Sequence, residues 1–175
     1  MNSVKCEIKK LVIPTYPEPA AEEMPMFAEN RVHQRTSGRP YPNKVVLKVN
    51  REEKIDKEYT AVVLENEYLK IEILPEIGGR IYSALDKTTG YDFFYKQHVI
   101  KPALIGVLGS WISGGVEFNW PFHHRASGFM PCDFVTETLP DGTAVCHLSE
   151  HDPIDRMKGM VSIVLRPGEK RFETR

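Results

Sequence analysis

One stretch of fifteen residues, Trp111-Ile112-Ser113-Gly114-Gly115-Val116-Glu117-Phe118-Asn119-Trp120-Pro121-Phe122-His123-His124-Arg125, concentrates groups able to do chemistry. It holds both tryptophans of the chain, one carboxylate, one amide, two adjacent imidazoles and a guanidinium. Flat aromatic faces stack on the C–H faces of a sugar ring, while carboxylate, amide and imidazole exchange hydrogen bonds with its hydroxyls. The combination fits a polyhydroxylated ligand. The competing reading is a core segment in which the aromatics pack and the polar groups satisfy nearby backbone. Burying so many polar groups without a use is unfavourable, which weighs against it.

Within this stretch Glu117 is the first choice for a general acid or base, with His123 or His124 as its partner. Two adjacent histidines on a strand face opposite sides, so only one of them belongs to a shared cleft. Neither has a spacing suited to a metal, and no metal or other cofactor is expected. Glu117 and Asn119 stand two apart, which puts both on one face of an extended segment. Trp111 and Trp120 offer a stacking platform or, equally, two core side chains. Arg80, behind Gly78-Gly79, and Arg125 are candidates for contacts to sugar hydroxyls or carboxylates, with a structural ion pair as the alternative for Arg80. His147 falls in a strand-like run and reads as a satisfied sheet residue.

These groups need elements to hold them, and the period of the chain is two. Leu69, Ile71 and Ile73 alternate with Lys70 and Glu72, as in a half-buried strand. Residues 81–84, 91–95, 134–138, 144–148 and 161–165 read the same way. Asp86-Lys87-Thr88-Thr89-Gly90, Pro140-Asp141-Gly142 and Arg166-Pro167-Gly168 supply turns between them. No long amphipathic helix is visible. Short alternating strands with tight turns predict an all-β fold, an antiparallel sandwich or barrel-like architecture. The earlier residues, 1–58, read as a lead-in with a strand over Val4–Ile13 ended by Pro14, an extended proline-punctuated arm, a strand-like Val45–Val49 and a solvated loop at Arg51–Lys57. Residues 59–175 then form the sandwich domain.

Composition narrows the partners. At 175 residues the chain has room for one domain, or a large part of one. A formal charge of −1 gives no electrostatic reason for nucleic acid or an anionic membrane as partner. Cys6, Cys132 and Cys146 are odd in number and widely spaced, so unpaired thiols in a reducing, cytoplasmic setting are expected. Phe172-Glu173-Thr174 reads as a strand just begun, so the chain is expected to be the N-terminal portion of a longer protein. An incomplete sandwich exposes strand edges, through which a homodimer is expected.

Glu65 to Ile81, with its Leu74-Pro75-Glu76-Ile77-Gly78-Gly79-Arg80-Ile81 and the later Lys87-Thr88-Thr89-Gly90, resembles the opening of galactose mutarotase-like domains. Gly114-Gly115-Val116-Glu117-Phe118-Asn119-Trp120-Pro121 and the run from Met160 to Gly168 are similar to the DUF5107 subgroup, whose members are often longer and carry tetratricopeptide repeats. The likeness covers roughly residues 59 to 175. It implies a β-supersandwich, incomplete here, with a carbohydrate cleft on a concave sheet face. Mutarotases of that superfamily pair a histidine acid with a glutamate base, and the base comes later than this sequence reaches. Two functions follow as expectations. One is a carbohydrate-binding domain of a carbohydrate-active protein with glycoside hydrolase-like or epimerase-like acid–base chemistry. The other is a non-catalytic sugar-binding or interaction module attached to a longer repeat protein.

Overall fold

The alternating segments pair into two antiparallel sheets in the computed structural model, which describes residues 3–20, 48–105, 109–120, 128–152 and 156–175. Strands β1 (Lys5–Thr15), β2 (Ile55–Glu65), β3 (Leu69–Leu74), β4 (Arg80–Asp86) and β5 (Tyr91–Asp92) lie side by side in chain order. A short hairpin follows, β6 (Ala103–Ile105) and β7 (Gly109–Trp111). The second sheet runs β11-β10-β9-β8, built from β8 (Asp133–Thr138), β9 (Ala144–Asp152), β10 (Met157–Leu165) and β11 (Phe172–Thr174). One turn of 3-10 helix, Pro75–Ile77, connects β3 to β4. Among the described residues no helix is long and apolar enough to cross a membrane.

The period of two decides what each sheet buries. Val62 and Leu64 of β2, Leu69, Ile71 and Ile73 of β3, and Ile81 of β4 face one way. They meet Ala144, Cys146 and Leu148 of β9 with Val161, Ile163 and Leu165 of β10, which closes a sandwich. Each large aliphatic side chain buried there contributes about 1.5–3 kcal/mol. The first sheet is covered on its other face as well. Tyr59, Ala61 and Val63 of β2, Leu74 and Tyr82 pack there with Ile13, Ile100 and Ile112. That double burial explains why the second half of β2, Ala61-Val62-Val63-Leu64, is continuously apolar instead of alternating.

Several expectations need correction. Pro14 does not end the first strand, which continues to Thr15. The carbonyl of Pro14 points to the open edge of β1, where it accepts from the Ile100 amide (2.8 Å). Its missing N–H therefore faces that edge too, and pairing with β2 loses nothing. Lys5–Thr15 is the edge strand of the first sheet. The polar run Arg51–Lys57 is only partly a loop, since β2 begins at Ile55, opposite Thr15. The aromatic run 91–95 is a strand for two residues only. Asp92 ends it: its carboxylate bonds the Ser83 hydroxyl and accepts from the amides of Ala84 (3.1 Å) and Phe94 (3.3 Å), which turns the chain away. Of the strand-like run at 45–49, Val45, Val46 and Leu47 lie outside the described residues, and Lys48 and Val49 are not in a strand.

The three cysteines are free thiols. Burial raises the Cys146 thiol to about 12, with Cys6 and Cys132 adding to the rise, so it is a small apolar core residue. His147 is satisfied as a sheet residue: Nε2 meets Glu137 (3.0 Å) and Nδ1 meets Ser162 (2.8 Å).

Acid dependence follows from two carboxylates. Glu173 is lowered from its ordinary 4.5 to about 2, first by the hydrogen bond from Arg166 (2.6 Å) and then by Arg175. Glu72 is pushed up by its burial, but the Lys70 hydrogen bond and the Lys96 charge more than offset this and leave it below its ordinary value. A depressed folded-state value means stability fully present above the unfolded value and lost as pH falls through the folded one. The thermal midpoint is therefore expected to fall as pH drops from about 4.5 toward 2, and circular dichroism melts across that window check it. A Glu72→Gln, Glu173→Gln variant should show a shallower decline. The exposed Glu173 pair contributes little because solvent screens it.

Candidate functional site

The Gly114-Gly115 segment is fastened at three points, two of them at the start of β4. Val116 and Ile81 exchange backbone hydrogen bonds of 2.9 and 3.2 Å. The Gly115 amide donates to the Tyr95 carbonyl (2.9 Å). Gly115 lies at φ +70°, where a Cβ would fall on the Ile81 carbonyl oxygen, so only glycine allows this close approach.

Arg80 supplies the third fastening. It is 2% exposed, and its Nη1 donates to the carbonyls of Ile112 and Gly114, each at 2.8 Å. Its Nε donates to the Ile77 carbonyl (3.3 Å). A guanidinium presents several donors in a fixed fork, which suits it to gather carbonyls from two chain segments. The structure thus shows Arg80 positioning the loop that carries the site.

Past this anchor the chain is extended without being a strand, and its side chains alternate. Val116, Phe118 and Trp120 pack against the sandwich core. Trp120 lies directly on Gly159 of β10, so closely that any side chain there would occupy the indole's place. Asn119 is exposed. Trp111, at the end of β7, turns its indole to the other side of the loop and donates from Nε1 to Glu117 Oε2 (3.2 Å). The two indoles therefore serve different ends: Trp120 packs against the core, and Trp111 meets the candidate acid. His123, His124 and Arg125 lie outside the described residues.

Trp111 also lines a hollow of about 410 Å³ with Arg51, Gln97, Lys101 and Ser113. The Gln97 amide reaches Ser113 Oγ at 3.5 Å. The backbone of Gln97 is fixed from below, where the Tyr82 hydroxyl donates to its carbonyl (2.7 Å). Lys96 lies 4.7 Å above the Tyr82 ring and 3.2 Å from Glu72. Burial, with the charges of Glu72 and Asp92, raises the Tyr82 hydroxyl, which keeps it a donor. Sequence reading missed Arg51, Gln97 and Lys101. They sit outside the Trp111–Arg125 stretch, and no local spacing links them to it. A larger hollow of about 470 Å³ lies elsewhere, lined by Glu67, Asp141, Arg166 and Glu169 without an aromatic wall.

The site thus joins an aromatic plane, a carboxylate bonded to it, an amide, a hydroxyl and two cations. Among the described residues no group of three or more potential ligands could hold a metal ion. The fold is similar to the crystal structure of a TPR-domain containing protein from Parabacteroides distasonis ATCC 8503, with a TM-score of 0.81 and 21% identity. The match covers 98% of this chain and 28% of that one, so the chain spans less than a third of the length of that protein. A family model described as a domain of unknown function, DUF5107, matches residues 38–175, which include all of the site. The chain therefore belongs to the DUF5107 family.

Proposed function

We propose that this domain binds carbohydrate at the Trp111 hollow, as a galactose mutarotase-like domain of a carbohydrate-active protein. The observation that carries the reading is the Trp111 indole, which lines an open hollow with Gln97 and Ser113 and is held by its hydrogen bond to Glu117. The bond holds the indole plane fixed for stacking and leaves the Gln97 amide and Ser113 hydroxyl beside it. An apolar ligand would give those polar groups no hydrogen bond beyond the long one between them. A sugar ring satisfies both demands, with C–H faces for the indole and hydroxyls for the amide.

For catalysis, Glu117 is the acid–base group and His123 or His124 its partner. Glycoside hydrolysis needs two carboxylates about the bond, and among the described residues no aspartate or glutamate lines the hollow itself, Glu117 being bonded to its Trp111 wall. Epimerase-like proton transfer needs only one carboxylate and one imidazole. The second reading, a non-catalytic sugar-binding module of a repeat protein, draws on the TPR-domain containing structure that shares the fold.

Calorimetric titration with a panel of neutral and acidic oligosaccharides tests the proposal. Trp111→Ala is expected to weaken binding about tenfold or more through lost stacking. Glu117→Gln separates the two readings. An acid–base role loses about a hundredfold or more in turnover with binding retained, whereas a binding module shows only a modest loss of affinity. Absence of heat with every glycan overturns carbohydrate binding.

A further inference from the structure

We infer that the carbohydrate taken by this hollow is an acidic one, a glycan bearing uronate carboxylates; the inference rests on the carbohydrate reading above. The chain as a whole carries a formal charge of −1, yet its described lining residues here include Arg51 and Lys101 and no aspartate or glutamate. Glu52 and Glu53, next to Arg51, are exposed and do not line it. The lining is thus cationic against the trend of the molecule.

Both cations stand on backbone that the fold holds in place. The Asn50 side chain accepts from the amides of Glu52 (3.0 Å) and Glu53 (3.1 Å) and donates to the Glu53 carbonyl (3.0 Å). That closed turn brackets Arg51. Lys101 follows Ile100, whose amide and carbonyl are bonded to Pro14 and Tyr16 of the first-strand segment (2.8 and 2.9 Å). Its ammonium lies 4.8 Å above the Tyr16 ring, an attraction that orients the side chain without neutralising it. A guanidinium takes a carboxylate through two parallel hydrogen bonds, and an ammonium adds a second point charge. Neutral hydroxyls need neither. The sugar carboxylate is placed toward Arg51 and Lys101, with hydroxyls toward Gln97 and Ser113 and a ring face on Trp111. Placing it toward Glu117 would set two carboxylates against each other.

The test is calorimetric titration of the protein with trimers of galacturonate, glucuronate and mannuronate, beside neutral galactose and glucose trimers. At least one uronate trimer should bind about tenfold tighter than any neutral one, and the advantage should shrink as salt rises from about 50 to 500 mM. The Arg51→Ala, Lys101→Ala variant, with an unchanged melting midpoint, should lose that advantage. Neutral trimers binding as tightly as every uronate would overturn the inference and leave carbohydrate binding standing. An advantage that survives in the double variant would overturn the assignment to these two cations. Silence from all the trimers would remove both readings.

Discussion

Replacing Arg80 with methionine is expected to reduce the free energy of unfolding by about 3 kcal/mol, a drop of roughly 6–12 °C in the midpoint for a domain of this size. The side chain is buried and donates to the carbonyls of Ile77, Ile112 and Gly114. Methionine keeps much of the stem's packing but provides no donor, so these carbonyls lose partners in a region water reaches poorly. Arg80→Lys should recover only part of the loss, because an ammonium cannot reproduce the guanidinium's fixed fork. Urea or thermal denaturation measures the effect without any ligand present. A sugar-contacting role alone would leave the midpoint where it is, so a shift below about 1 °C would refute the positioning role.

Gly115→Ala is the second large effect. At φ +70° alanine pays about 1 kcal/mol or more for the left-handed conformation wherever it stands. Here the added methyl also falls on the Ile81 carbonyl oxygen, a backbone atom that cannot swing aside as a side chain would. That oxygen accepts the Val116 amide (2.9 Å), so relief of the clash breaks the link between the loop and β4. A total loss of about 3 kcal/mol or more is expected, together with loss of the Trp111–Glu117 geometry and of any glycan response. Gly90→Ala supplies the control. Gly90 has a similar φ of +74° with nothing within 4 Å of the added carbon, so it should lose only the conformational part. Equal destabilisation by the two variants would show that the close approach to Ile81 carries no weight.

How much of this was legible beforehand depends on the range of each interaction. Strand β3 was readable because Leu69, Ile71 and Ile73 bury one face, and burial imposes a period on adjacent residues. The same logic put Glu117 and Asn119 on one face, and the core takes the intervening Val116, Phe118 and Trp120. The hairpin β6–β7 was missed because three-residue strands are too short for a period to show. The break after Asp92 was missed because it depends on where one carboxylate finds the Ser83 hydroxyl and Ala84 amide. Arg80 looked as suited to a ligand as to a structural contact, since two of its three acceptors lie 32 and 34 positions further along the chain. The glycine pair before Glu117 was the signal available, and it marked a close backbone approach. The cationic wall gave no sign, because Arg51 and Lys101 come together only through the pairing of distant segments.

The five residues from Val116 to Trp120 hang between two fixed points, a backbone bridge to β4 at one end and an indole seated on Gly159 of β10 at the other. A variant library aimed at new ligand preferences is therefore better directed at Arg51, Gln97, Lys101 and Ser113, which line the hollow, than at this span. Positions 116, 118 and 120 behave like rivets between two plates, and altering them loosens the plates before it reshapes the hollow. Drift among related chains should show the same constraint at positions 116, 118 and 120.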